Sequence, residues 1–187
     1  MVKVCAWHGI PNALTFVRIL MIIPFARALL AQEYRIALVI FALASVTDGL
    51  DGYLARRFSW RSRFGAVADP LADKALLITA YLVLTYTSVL PLWLFLLVLG
   101  RDLLIVGGAL VYHYCIGRFD MEPSMPGKLN TLVQITVILG VIVILAGLPV
   151  PPVWLDAGIC LVAVSAVFSG GHYVVVWGMR AWKVWQT

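Results

Sequence analysis

The chain has 187 residues, 63% of them hydrophobic and only 12% charged, with a formal net charge of +5 and a mean hydropathy of +0.98. Soluble domains are about half apolar and a quarter charged, so this composition excludes an ordinary globular protein. A hydrocarbon core about 30 Å thick is crossed by roughly 20 apolar residues of helix, and the length therefore accommodates about six spans in a single domain over residues 1–187.

The first predicted helix covers 13–31. Arg18 and Arg27 interrupt its apolar run and more spans follow, so it reads as an uncleaved first helix rather than a signal peptide. Gln32 and Glu33 end it, and a second helix is predicted over 36–57 and a third over 65–88. Pro91 precedes the fourth, 92–116; Pro123 and Pro126 precede the fifth, 127–148; and "GLPVPP", from Gly147 to Pro152, precedes the sixth, 153–179. Unbroken apolar runs fit helices, whereas barrel strands would alternate apolar and polar residues. Cys5, Cys115 and Cys160 are scattered without metal-like spacing and imply no disulfide framework.

Orientation follows from the loops. Arg56, Arg57, Arg61 and Arg63 crowd the second connection, Arg118 and Lys128 the fourth, and Arg180 and Lys183 the C-terminus, while the first connection has only Arg35. The positive-inside rule then predicts an all-α membrane protein of six transmembrane helices with both termini cytoplasmic. Basic residues placed this way suit anionic lipid and phosphate-bearing substrates, and nucleic acid is not expected as a partner. Tryptophans near the predicted span ends, Trp93 and Trp154 among them, read as interfacial anchors.

Four carboxylates stand out against this background. Asp48 and Asp51 are three apart, which puts them about 60° from each other on a helix; Asp69 and Asp73 are four apart, about 40°. The predicted topology brings both pairs near the same cytoplasmic face, flanking an arginine-rich loop. A lone Asp near a helix end is often a solvated cap. Two same-face pairs need a further reason, because an intramembrane carboxylate costs about 3 kcal/mol at the bilayer centre. Gathered carboxylates repel one another, and a divalent cation relieves the conflict. Oxygen donors with no His or Cys nearby suit Mg²⁺ or Mn²⁺ better than zinc. An ion or proton pathway would also account for the acids, so a divalent-cation transporter stands as the alternative from another class. Against it, transporters place such groups near the midplane, with broken helices and internal repeats that this chain lacks.

The stretch "DGLDGYLARRFSWRSRFGAVADPLAD" fits D-x-x-D-G-x-x-A-R-x8-G-x3-D-x3-D at every fixed position: Asp48, Asp51, Gly52, Ala55, Arg56, Gly65, Asp69 and Asp73. In this the chain resembles the CDP-alcohol phosphotransferase family, in its bacterial cardiolipin and phosphatidylglycerophosphate synthase branch. The resemblance implies a homodimer of six-helix chains in the cytoplasmic membrane, with the active site facing the cytoplasm. It also implies two Mg²⁺ or Mn²⁺ ions on Asp48, Asp51, Asp69 and Asp73, with Asp73 as general base on the acceptor hydroxyl. By the same resemblance Arg56 grips donor phosphate, Gly52 and Ala55 leave room for the nucleotide, Gly65 allows a tight approach, and Ser62 supplies a donor-binding hydroxyl. "PNALTFVR" resembles the opening of the family's first helix, where Asn12 and Thr15 would meet the cytidine or diphosphate; Asn12 equally suits a helix cap.

The family moves a phosphatidyl or similar group from a CDP-linked donor to an alcohol and releases CMP. Here the donor looks like CDP-diacylglycerol. Lys74, Arg101 and Lys128 are the candidate acceptor-binding residues. The glycerol-3-phosphate branch is expected to carry an Arg-Glu pair with a second Arg two turns on; this chain has Arg101-Asp102 and Ala109. "PGKLNTLVQ", with Asn130, looks more like the cardiolipin branch, whose acceptor is phosphatidylglycerol. Glycerol-3-phosphate, which would give a phosphatidylglycerophosphate synthase, is the alternative. A phosphomonoester needs a dedicated cationic pocket, whereas phosphatidylglycerol already lies in the bilayer and presents a free hydroxyl.

Overall fold

A computed structural model describes the backbone of residues 9–58, 63–115, 125–149, 151 and 153–185, and the side chains of these except 9–15, 48–58, 63–73, 109–115, 177 and 180–185. Among the described residues every regular element is an α-helix: α1 (Gly9–Leu30), α2 (Tyr34–Phe58), α3 (Arg63–Tyr86), α4 (Leu92–Cys115), α5 (Met125–Leu145) and α6 (Val153–Trp185). The six predicted segments are all present. The largest differences are at the outer ends, where α1 begins four residues earlier than 13 and α6 continues six residues beyond 179.

The helix ends follow their local chemistry. Gly147 takes a φ of 84°, and Gln32 a φ of 59°. Each ends its helix in the same way: Leu148 N–H donates to the Val143 carbonyl at 3.3 Å and Gly147 N–H to Ile144 at 3.1 Å, as Glu33 N–H does to Ala28 and Gln32 N–H to Leu29. This pairing uses carbonyls that the last turn leaves open. Pro91 and Pro151 stand just before α4 and α6, and their carbonyls accept from Leu94 and Trp154. A proline costs nothing at such a position, because its missing N–H would have no helical partner.

Most described threonine hydroxyls in or beside the apolar helices bond back to their own helix. Thr47, Thr79, Thr87 and Thr136 donate to carbonyls four residues back, at 2.7–3.0 Å. The residue types are thus less polar in place than they look in the sequence.

The chain divides into two compact units, Met1–Thr87 with Ile138–Val150, and Ser88–Val137 with Pro151–Thr187. In the first, α1 packs against both α2 and α3. Ala28, Ala37, Ala44 and Ala80 are buried there, and such small residues let helix backbones approach closely. The Phe25 and Phe41 rings meet at 5.6 Å between centroids and fix the α1–α2 register. In the second unit α4 packs against α6.

Outward faces are apolar. Phe16, Leu20 and Ile23 on α1, Leu96 and Leu103 on α4, and Val164, Val167 and Phe168 on α6 are exposed. Among the described residues two helices, Met125–Leu145 and Val153–Val176, are long and apolar enough to cross a membrane. Trp93 and Trp154 are exposed in the first turns of α4 and α6.

Candidate active site

The first unit holds the carboxylate motif on two helices. The inward stripe of α2 runs through Ala37, Phe41 and Ala44, all buried. Continued at spacings of four and three it reaches positions 48, 51 and 55. On α3 the buried residues Leu84, Ala80 and Leu77 define a stripe that continues to positions 73 and 69. By helical spacing, all four aspartate positions fall on the continuation of these stripes.

The side chains of Asp48, Asp51, Asp69, Asp73, Asn12, Thr15, Ala55 and Arg56 lie outside the described residues, as do Gly52 and Gly65 beyond their helical backbone, and Ser62 altogether. Among the described residues no three His, Cys, Asp or Glu side chains gather as a metal site. The motif's donor set fits a hard divalent cation, since it offers four carboxylates from two helices of one unit and no sulfur or imidazole.

Arg18, which interrupts the apolar run of α1 and closes the "PNALTFVR" stretch, shares this unit. It is 1% exposed and the largest fully buried side chain described. Its immediate neighbours Phe16, Val17, Ile19 and Leu20 are exposed, so α1 turns its single mid-helix cation inward.

The acceptor candidates are treated differently by the fold. Lys128 is exposed near the start of α5, and Lys74 is half-buried on α3. Arg101 is buried in the second unit. Its Nη1 donates to Asp102 Oδ1 at 2.7 Å and its Nη2 to Ser169 Oγ on α6, and its guanidinium lies 5.9 Å from the centre of the Tyr173 ring. This joins α4 to α6 through a charge that is neutralised where it stands. Removing it would leave Asp102, whose side chain is 11% exposed, without the guanidinium. Arg101→Met is therefore expected to cost about 3 kcal/mol, read as a lower Tm in detergent; an unchanged Tm would show that the clamp contributes nothing.

A second polar feature of this unit went partly unread. Asn130 and Gln134, one turn apart on α5, are each 1% exposed. Asn130 Oδ1 accepts from Ser165 Oγ of α6 at 2.9 Å. Asn130 Nδ2 and both polar atoms of Gln134 have no hydrogen-bond partner among the described residues. The signal for Gln134 was its spacing of four from Asn130; Ser165 and Ser169 repeat that spacing on α6.

Comparison with known proteins agrees with the motif. A cardiolipin synthase (CMP-forming) from Homo sapiens is 32% identical over 145 residues, 69% of this chain and 48% of that protein. A probable phosphatidylglycerophosphate synthase from Mycobacterium tuberculosis is 37% identical over 133 residues, covering 67% of this chain and 62% of the relative. A CDP-diacylglycerol–glycerol-3-phosphate 3-phosphatidyltransferase from Aquifex aeolicus is 35% identical over 128 residues, 66% of this chain and 70% of the relative. The chain thus spans about half the length of the human relative and more of the bacterial ones. The family described as CDP-alcohol phosphatidyltransferase matches residues 8–177, nearly the whole chain and all eight fixed motif positions, and the chain belongs to that family.

Proposed function

We propose that the protein transfers a phosphatidyl group from CDP-diacylglycerol to an alcohol and releases CMP. The observation that carries this reading is the complete eight-position motif on α2 and α3, with its four aspartates at helical spacing from the buried residues of both helices. The named activities of the relatives support it.

Asp48, Asp51 and Asp69 would hold two divalent ions, Mg²⁺ or Mn²⁺, and Asp73, which takes the proton of the attacking hydroxyl, would share in holding the second. When bound, the ions neutralise the diphosphate and the charge that develops on the attacking and leaving oxygens. Arg56 orients donor phosphate, a task suited to a planar fork. Gly52, Ala55, Gly65, Ser62, Asn12 and Thr15 shape the donor side. The chain spans the cytoplasmic membrane six times with both termini inside, forms a homodimer among membrane lipids, and acts as one catalytic domain whose site faces the cytoplasm.

Phosphatidylglycerol is the favoured acceptor, which makes the reaction cardiolipin synthesis. On the described part of α5 beyond Lys128, the buried polar groups are the neutral amides Asn130 and Gln134, and Arg101 is already held by Asp102 and Ser169. A phosphomonoester, with about two negative charges, finds less to bind in such a set than a neutral glycerol headgroup does. The second reading, glycerol-3-phosphate as acceptor, takes its support from the Aquifex aeolicus relative.

The test is CMP release by the purified chain in detergent with CDP-diacylglycerol and Mg²⁺. Phosphatidylglycerol is expected to support a rate at least about tenfold above glycerol-3-phosphate, which corresponds to about 1.4 kcal/mol of discrimination. The reverse order would assign the other acceptor. Release with neither would overturn the transferase reading.

A further inference from the structure

A guanidinium buried in the apolar part of a helix requires a compensating charge or a full set of acceptors. In its unit the acidic residues are Glu33, Asp48, Asp51, Asp69 and Asp73. Glu33 is exposed at the turn after α1, fifteen residues along from Arg18. The remaining four are the motif carboxylates, all on the two helices against which α1 packs.

The register narrows the choice. Phe25 of α1 meets Phe41 of α2, and the two helices run antiparallel from the short turn at 31–33. Seven residues are about two turns and return to nearly the same face. Seven back from Phe25 is Arg18; seven on from Phe41 is Asp48. The two positions are thus opposite each other, about 10 Å further along the same seam. Leu29, Phe25 and Arg18 are all buried on the α1 face, and Ala37, Phe41 and Ala44 lead to position 48 on α2.

We infer that Arg18 is the fixed counter-charge of the motif carboxylates, lying opposite position 48 on the α1–α2 seam. It acts through the charge of Asp48 and not on the substrate: it offsets part of the negative charge of the carboxylate set, so that divalent cations bind there less tightly than they would to four uncompensated carboxylates. The inference rests on the motif reading above, and the two can fail separately.

Two measurements on the purified full chain in detergent decide it. The first is a double-mutant cycle in EDTA, read as Tm. Arg18→Met is expected to lower Tm, and Asp48→Asn in that background to recover part of the loss, because the carboxylate no longer faces a missing partner. Losses that simply add would overturn the pairing. Should Arg18→Met alone fail to fold, folding of the double variant is the expected rescue, and failure of both overturns the pairing.

The second is Mn²⁺ affinity, read from the loss of the free-ion electron paramagnetic resonance signal. Removing a positive charge close to the site is expected to tighten Mn²⁺ binding by about tenfold in Arg18→Met, while Arg18→Lys stays near the parent. Unchanged or weaker Mn²⁺ binding in a folded Arg18→Met overturns the counter-charge role. No saturable Mn²⁺ binding to the parent protein would instead overturn the metal reading, and the Tm cycle would still judge the pairing by itself.

Discussion

Asp73→Asn is expected to lower kcat for CMP release by about 10³-fold, within the range typical for loss of a general base, with the helical fold and most of the affinity for CDP-diacylglycerol retained. Asparagine keeps the size of the side chain and one carbonyl oxygen that can face a cation, but it cannot accept the proton of the attacking hydroxyl. The loss should therefore resist excess Mg²⁺. Asp48→Asn gives the useful contrast: if Asp48 holds cations as proposed, raising Mg²⁺ should recover part of the rate. The check is a Mg²⁺ titration of both variants with donor and acceptor saturating, alongside donor binding by calorimetry. Full activity in Asp73→Asn would remove that residue as the base. Recovery of Asp73→Asn by Mg²⁺ to the level of Asp48→Asn would reassign it as a ligand only.

Much of this was legible in the sequence, for identifiable reasons. The boundaries between the last four helices follow from Pro91, Pro126 and the Gly147–Pro152 stretch: a proline suits the first turn of a helix, as Pro126 does in α5, and Gly147 permits the left-handed turn at which α5 stops. The predicted sixth helix ends at 179, whereas α6 continues to Trp185 through Arg180 and Lys183, which are good helix formers. The motif positions are spaced by local helical geometry, which one-dimensional reading captures. What it did not capture depends on contacts distant in sequence. Arg18 has no charged neighbour at helical spacing on α1, and only packing against α2 and α3 shows which way it faces. Arg101 reaches Ser169 across 68 positions, and Ser165 reaches Asn130 across 35. No spacing rule pairs such residues.

Metal removal is the second large effect expected. Dialysis against EDTA should lower CMP release by about 10³-fold or more, since on the proposed mechanism divalent cations would supply several kcal/mol of stabilisation where charge develops on phosphorus oxygens. Mg²⁺ or Mn²⁺ should restore it, because a set of carboxylate oxygens matches hard ions of octahedral preference. Ca²⁺ should occupy the site and restore little. It takes six to eight ligands at longer distances, about 2.3–2.6 Å, and would hold the diphosphate too loosely for in-line attack. Zn²⁺ should be the poorer substitute, as the motif supplies neither thiolate nor imidazole. The informative arm is Ca²⁺ added to Mg²⁺-loaded protein: competition that slows turnover without displacing the donor is the expected result of a shared site for hard cations. Turnover that survives EDTA, with Mn²⁺ binding absent, would mean that the four aspartates of α2 and α3 serve something other than a metal.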